Sequence, residues 1–194
     1  PDNVEALHAD VRRVDLGDWI HGAASPVRVV ANLPYSIASP LLRTLLGLRD
    51  ALAGWSVMVQ REVAERLLAE PGSGDYSGLG VLHRLTVRVE RALDLHPACF
   101  FPRPRVHSSF LRIARRDAPL LRDDELDWVE TVVRAAFGHR RKTLANALRH
   151  AGLAPEPAAL ARVFETLGLD PRVRGETLAP ETLLELARVL AAAR

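Results

Sequence analysis

The ten residues ANLPYSIASP (31–40) follow the apolar run VRVV (27–30) and precede the helix-like segment LLRTLLGL (41–48). A short β-branched run bounded by turn residues is typical of a buried strand. The stretch therefore predicts a strand that ends near Asn32 and turns tightly into a helix, which is the repeating unit of α/β sheets. An amide, a proline and a tyrosine stand side by side at that turn.

The tetrapeptide NLPY, Asn32–Tyr35, carries groups that could activate an aromatic amine. The lone pair of such an amine is delocalised into the ring, so hydrogen-bond acceptors must hold its N–H groups in a more pyramidal geometry to make it nucleophilic. Asn32 could supply a side-chain carbonyl, and the residue before or at Pro34 a backbone carbonyl, kept in place by the fixed φ of proline. Tyr35 offers a flat face on which an extruded base can stack. The same letters also suit an ordinary strand-to-helix turn.

The rest of the chain predicts an α/β domain followed by helices. Strand patterns occur at 4–11, 26–34, 54–60, 88–96 and 106–116. Because only the loop PACFFPRPR (97–105) separates the last two, they predict an antiparallel pair at one edge of an otherwise parallel sheet. Helical patterns occur at 39–52, at 61–70, after Ser77, and at 123–138, 140–152, 155–168 and 179–193. We place the domain boundary within 114–122, which gives domains of residues 1–116 and 117–194.

Composition narrows the function classes. The 194 residues are 48% hydrophobic and 26% charged, as in ordinary globular proteins. No run of apolar residues is long enough for a membrane span, and the lone Cys99 excludes an internal disulfide. The seven histidines lack metal-ligand spacing. We therefore expect a cytoplasmic protein without a metal site.

The charges are unevenly distributed along the chain. The segment 134–149 contains five Lys/Arg residues and no acidic residue, directly after the acidic stretch RDDELDWVE (122–130). A local basic patch of this kind, more than the net charge of +2, is typical of a nucleic-acid contact.

Four motifs in this order resemble those of the ribosomal RNA adenine dimethyltransferases, and most of all the bacterial branch that dimethylates two adjacent adenines near the 3′ end of 16S rRNA. The motifs are NLPYSIASP (32–40), WSVMVQREVAERLLAEPGSGDYSGLGVL (55–82), CFFPRPRVHSSFLRI (99–113) and FGHRRKTLANAL (137–148). The resemblance implies a Rossmann-like S-adenosylmethionine-dependent methyltransferase sheet and a small all-helical C-terminal domain that binds rRNA. It also implies a 16S rRNA substrate within a small-subunit (30S) precursor, and we expect a monomer.

The resemblance assigns roles to individual residues. Asn32, Leu33, Pro34 and Tyr35 match the catalytic motif, in which the amide and a backbone carbonyl bind the target amino group and the tyrosine stacks on the adenine. Phe100 matches the phenylalanine that covers the other face of the base, although Phe101 could take this role. Cofactor contacts fall on Asn32, beside the methionine end, and on the acid that follows the family's third strand. Asp10 matches that acid, which binds the cofactor's adenine amino group, with Asp15 as the alternative.

The basic residues of the same motifs are implied to contact RNA. Arg140, Arg141 and Lys142 match a family signature at the start of a helix, which we interpret as a clamp on the rRNA backbone. Arg103 and Arg105 form a second predicted contact. Contacts with phosphate position an RNA without reading its sequence.

One part of the family pattern lies outside this sequence. The family begins with a strand, a glycine-rich turn around the cofactor and an acid for its ribose, whereas the resemblance here starts near the family's third strand. We therefore expect a chain that lacks the N-terminal strands of the sheet and does not by itself bind S-adenosylmethionine tightly or turn over. Two alternatives stay open: a 23S rRNA adenine methyltransferase of the macrolide-resistance type, and a non-catalytic RNA-binding assembly or transcription factor of this fold.

Overall fold

The computed structural model describes residues 4–24, 26–139, 141–153 and 156–193. Within these ranges four strands form one mixed sheet in the order β1–β2–β4–β3. The strands are β1 (Val27–Asn32), β2 (Leu52–Gln60), β3 (Val87–Leu95) and β4 (Ser108–Arg115). β1 and β2 are parallel, whereas β4 is antiparallel to both β2 and β3. The predicted parallel strands and the predicted antiparallel pair at one edge are both confirmed.

The topology brings the functional segments to one end of the sheet. Because β4 runs against β2, its first residue, Ser108, lies opposite Gln60, the last residue of β2. Ser108 also lies opposite Leu95, the last residue of β3. The carboxyl ends of β1, β2 and β3 and the start of β4 therefore share one edge, which is where open α/β sheets bind ligands.

Eight α-helices surround and follow the sheet in the described residues. They are α1 (Leu16–Gly22), α2 (Ala38–Gly47), α3 (Arg61–Leu68), α4 (Gly78–Thr86), α5 (Leu126–Phe137), α6 (Leu144–His150), α7 (Pro157–Thr166) and α8 (Pro180–Ala192). All the predicted helices form, but α6 begins later than its pattern suggested. The Thr143 hydroxyl accepts a bond from the Asn146 N–H and caps the helix there, so Arg141 and Lys142 lie in the preceding turn.

The predicted strand at 4–11 was wrong. Residues 4–10 are exposed and have no regular structure, and Val11–Arg13 form a short 3₁₀ turn. A strand is stable only when a neighbour satisfies its backbone groups. No described strand pairs with the outer edge of β1, although the sequence pattern of 4–11 is locally that of a strand.

A continuous apolar core joins the sheet to the helices that follow it. α4 packs so closely on α3 that a Cβ atom at Gly80 would lie 2.5 Å from the carbonyl oxygen of Arg66. Tyr76, in the loop before α4, donates its buried hydroxyl to the carbonyl of Leu178 at 2.9 Å. Burial raises the pKa of Tyr76 to about 12, so this hydroxyl remains a donor at neutral pH. The loop 71–77 is thereby fastened to the C-terminal half of the chain.

Candidate functional site

The NLPY motif lies at the carboxyl end of β1 and is anchored by its leucine. Leu33 is only 2% exposed, and its N–H donates to the carbonyl of Met58 on β2 at 3.0 Å. Its neighbours Asn32 and Pro34 are exposed, and Tyr35 is 45% exposed. The buried leucine side chain thus holds the backbone while the amide and the phenol ring remain accessible.

The backbone carbonyls of this turn are not equivalent. The carbonyl of Pro34 accepts a hydrogen bond from the N–H of Ile37 at 3.1 Å, within the 3₁₀ turn Tyr35–Ile37. No backbone N–H of the described residues donates to the carbonyl of Leu33. Of the two carbonyls that the sequence left open, the one before Pro34 is therefore the better acceptor for a ligand.

A surface cavity of about 320 Å³ joins this turn to the loop between β3 and β4. Its lining consists of Asn32, Leu33, Pro34, Tyr35, Met58, Phe100, Phe101, Pro102, Pro104 and Ser108. Tyr35 and Phe100, which are far apart in sequence, thus face the same space. An amide, a backbone acceptor and aromatic rings in one open cavity suit a flat base that carries an amino group.

The loop over the cavity is held at both ends. The rings of His96 and His107 meet edge to face with their centroids 5.1 Å apart, and the His107 carbonyl accepts from the N–H of Arg61 at the start of α3. Between these ends Phe100 is partly buried, whereas Phe101 is fully exposed. Both rings line the cavity, so the geometry keeps both as candidates for base stacking.

The two candidate acids for the cofactor serve different local roles. Asp10 caps the turn Val11–Arg13 and accepts bonds from the guanidinium of Arg12, at 2.6 Å for the shortest. The hydrogen bonds from Arg12 lower the pKa of Asp10 to about 2, so the carboxylate is ionised at neutral pH. Asp15 instead caps α1 by accepting from the backbone N–H groups of Gly17 and Asp18. Each carboxylate thus caps a short helical element, and of the two only Asp10 also accepts bonds from a guanidinium.

A second cavity of about 220 Å³ is lined by residues that follow Asp10 in the chain, whereas Asp10 itself is not part of the lining. It is enclosed by the segment after Asp10 and by the start of α2, and its lining is Val11, Arg12, Val14, Leu16, Ile37, Pro40, Leu41 and Thr44. Tyr35 lines the first cavity and Ile37 the second, so the turn Tyr35–Ile37 contributes to both linings.

The predicted RNA-contacting residues lie in two exposed places. Arg103 and Arg105 are exposed in the loop that carries Phe100, and neither forms an ion pair with a described residue. Arg141 and Lys142 are exposed in the turn before α6. Arg140 lies outside the described residues.

A histidine pair lies beside this second basic place. The rings of His139 and His150 meet edge to face, with centroids 4.5 Å apart. Desolvation and the nearby charge of Lys142 lower the pKa of His139, so its imidazole is biased towards the neutral form. Arg141 and Lys142 therefore give this surface positive charge that does not depend on His139.

Sequence reasoning assigned no role to four residues of the cavity, Met58, Pro102, Pro104 and Ser108. Met58 lies opposite Asn32 in the β1–β2 register, a position that follows only from the pairing of the strands. Ser108 was interpreted only as part of a strand. In the described parts of the chain no three His, Cys, Asp or Glu residues group as metal ligands, and no helix is long and apolar enough to cross a bilayer.

Comparisons with known proteins agree on one family. The family model for ribosomal RNA adenine dimethylase matches residues 2–191. The chain is 37% identical over 193 residues to the ribosomal RNA small subunit methyltransferase A of Shouchella clausii, covering 97% of the chain and 65% of that protein. It is 41% identical over 175 residues to the protein of the same name from Desulfitobacterium hafniense, covering 90% of the chain and 62% of that protein. The chain thus spans somewhat less than two thirds of the length of these two relatives.

Solved structures show the same fold. A dimethyladenosine transferase from Plasmodium falciparum superposes with a TM-score of 0.72 at 27% identity, covering 86% of this chain and 68% of that one. The 23S rRNA methyltransferase ErmE superposes with a TM-score of 0.59 at 22% identity, covering 90% of this chain and 70% of that one, a likeness of fold alone.

Proposed function

Because the chain belongs to the ribosomal RNA adenine dimethylase family, we propose that it acts in the S-adenosylmethionine-dependent N6,N6-dimethylation of two adjacent adenines near the 3′ end of 16S rRNA. The observation that carries this proposal is the cavity in which the Asn32 amide and the Leu33 carbonyl meet the rings of Tyr35 and Phe100. The relatives named above are small-subunit rRNA methyltransferases, which favours 16S over 23S rRNA as the substrate.

Some residues of the cavity bind the base, and others orient its amine. Tyr35 and Phe100 stack on the two faces of an extruded adenine, a contact worth about 1–3 kcal/mol per base. The side-chain oxygen of Asn32 and the backbone carbonyl of Leu33 accept the two N–H groups of the amine. This turns the nitrogen lone pair out of the ring plane, and orientation of this kind is a large part of the rate of a direct transfer.

The cofactor S-adenosylmethionine would supply an activated methyl group on a sulfonium, whose leaving group is a neutral thioether. Asp10 would accept from its adenine amino group, and Asn32 would lie near its methionine end. The ionised carboxylate of Asp10 fits this assignment, and the lining of the cavity of about 220 Å³ begins at the next residue, Val11. Because Arg12 already donates to both carboxylate oxygens, the cofactor amine would share Asp10 with that guanidinium.

The proton of the amine leaves to solvent in this scheme. Neither a carboxylate nor an imidazole is among the described residues that line the cavity, so the chain offers no strong general base there. After transfer the nitrogen is positively charged and acidic, and the open cavity gives water access to it.

The exposed arginines and the lysine position the RNA. Arg103 and Arg105 would contact phosphates next to the extruded base, since they share its loop with Phe100. Arg141 and Lys142, together with Arg140, would hold a more distant part of the 16S rRNA within a 30S precursor. We expect a monomeric cytoplasmic protein, with residues 117–194 as the RNA-binding domain.

The test replaces the acceptor while leaving the fold of the turn intact. Asn32→Ala, in a protein of the relatives' full length that contains this chain, should lower methylation of 30S precursors by about 10²–10³-fold, as loss of one preorganised polar contact does in other enzymes. Binding of the precursor should change little. Ser36→Ala is the matched control, since Ser36 is exposed in the same turn and does not line the cavity.

Three results would contradict the proposal. Normal dimethylation by the Asn32→Ala variant would refute the role of the amide. Methylation of 23S rRNA in preference to 16S rRNA or assembled 30S particles, mapped by primer extension, would favour the macrolide-resistance alternative. A wild-type protein that binds the precursor and methylates nothing would favour the non-catalytic factor.

A further inference from the structure

Ser108 is a buried polar residue at the edge of the candidate site. It is the first residue of β4 and only 3% exposed. Its backbone is fixed between the last residues of β2 and β3, Gln60 and Leu95, and its side chain helps to line the cavity that contains the NLPY motif. The position of its hydroxyl is therefore set by three strands.

The Ser108 hydroxyl forms no hydrogen bond with a described residue. The adjacent Ser109 behaves differently, because its hydroxyl donates to the carboxylate of Asp94 at 2.5 Å. The Ser108 oxygen is not enclosed by protein, so it is open to water or to a ligand in the cavity that the residue lines. A partner for Ser108 must come from the cavity that it lines, whereas Ser109 is satisfied within the protein.

The other cavity residues leave the ring nitrogens of the adenine without a hydrogen-bond donor. Of the described residues in the lining, only Asn32, Tyr35 and Ser108 carry side-chain donors. In the proposed function Asn32 is used through its oxygen and Tyr35 through its ring face. The aromatic amine of adenine lies between two ring nitrogens, N1 and N7, which are acceptors and which the NLPY motif does not address.

We propose that the hydroxyl of Ser108 donates a hydrogen bond to a ring nitrogen of the target adenine, N1 or N7, and thereby fixes the rotation of the base within the stack. This inference rests on the proposed function. The contact sets the orientation of the base and does not by itself reject guanine, because a serine hydroxyl can accept a hydrogen bond as well as donate one.

The test removes the hydroxyl and the ring nitrogen separately and together. Ser108→Ala is assayed with 16S 3′-end RNA in 30S precursors that carry adenine, 1-deazaadenine or 7-deazaadenine at the target positions. The protein has the relatives' full length and contains this chain. The variant should lower kcat/KM on adenine about three- to tenfold, the usual effect of one neutral hydrogen bond. The wild type should lose a similar factor on one of the two analogues, and on that analogue the variant should lose nothing more.

Ser109→Ala is the matched control. It removes the bond to Asp94, so it should lower the thermal midpoint while leaving the wild-type ranking of the three RNAs unchanged. If Ser108→Ala is poorly folded, the ranking by the wild type alone still tests the inference, since a ring-nitrogen contact requires a loss on one analogue.

The outcomes separate the two proposals. Equal rates of the wild type on all three RNAs, or equal further losses by Ser108→Ala on both analogues, would overturn the role of Ser108 while methylation itself upholds the proposed function. A wild-type protein that transfers no methyl group to any adenine would refute the proposed function and, with it, this inference.

Discussion

The buried His83 predicts a specific dependence of stability on pH. His83 lies in α4 with an exposed fraction of 0%, and its Nδ1 is 2.8 Å from the Leu79 carbonyl, which requires a proton on that nitrogen. Its Nε2 is buried without a partner among the described residues. Burial, opposed by the bond to Leu79 and assisted by the charge of Arg43, lowers the pKa of His83 from 6.5 to about 4.

The sign and size of the effect follow from this pKa. In the unfolded chain the imidazole takes up a proton as the pH falls through 6.5, whereas in the folded chain it stays neutral until about pH 4. Acid therefore favours the unfolded state within this window, and the loss becomes constant below it. A pH of 5 lies about 1.5 units below the pKa of His83 in the unfolded chain. Protonation of the unfolded chain therefore lowers the free energy of unfolding by roughly 2 kcal/mol relative to pH 7.5.

The assay is urea unfolding of the chain at pH 7.5 and pH 5.0, followed by circular dichroism. His83→Leu and His83→Gln remove the titrating group, so their free energy of unfolding should fall about 2 kcal/mol less than that of the wild type between the two pH values. His21→Gln, at an exposed histidine of α1, should keep the wild-type dependence. Parallel declines of the wild type and both His83 variants would refute the reasoning, because ionised carboxylates would then account for the whole effect.

Three further predictions concern the packing of the chain and its RNA contact. Tyr76→Phe should lower the free energy of unfolding by about 1–2 kcal/mol, since the buried carbonyl of Leu178 loses its donor, and urea denaturation would show it. Gly80→Ala should cost about 2–3 kcal/mol in the same assay, because the added methyl group would overlap a backbone carbonyl of α3; an unchanged midpoint would contradict that contact. Arg141→Ala combined with Lys142→Ala should reduce the slope of log K against log salt concentration for 16S RNA by about 1.4, because each of the two lost phosphate contacts contributes about 0.7. An unchanged slope would mean that this surface does not contact RNA.

Local sequence patterns predicted the elements that carry their own signals. The strand ending at Asn32, the helix after it and the cap before α4 all follow from short-range patterns, and they form as expected. The strand at 4–11 failed because its pattern is only half of the requirement: a strand also needs a neighbour, and no local signal reports whether one exists.

The site was less predictable than the fold. The residues NLPY suggested a site that binds an amine, but the same residue types also suit an ordinary strand-to-helix turn. The proximity of Tyr35 and Phe100 was expected from the family resemblance and not from any spacing in the sequence. Ser108 and Ser109 are identical letters in one strand, so only their surroundings distinguish them. One faces an open cavity, and the other faces Asp94.

The hydrogen bond from Ile37 to the Pro34 carbonyl has a consequence for the order of events at the site. It leaves two acceptors at this corner, the Asn32 amide and the Leu33 carbonyl, which equals the number of N–H groups on an unmodified adenine amine. Each methylation removes one N–H, so the first product keeps one of these bonds and the dimethylated base keeps neither. Under the proposed function, the corner would thus hold its substrate most firmly and its finished product least, and release of the product would become easier as the reaction is completed.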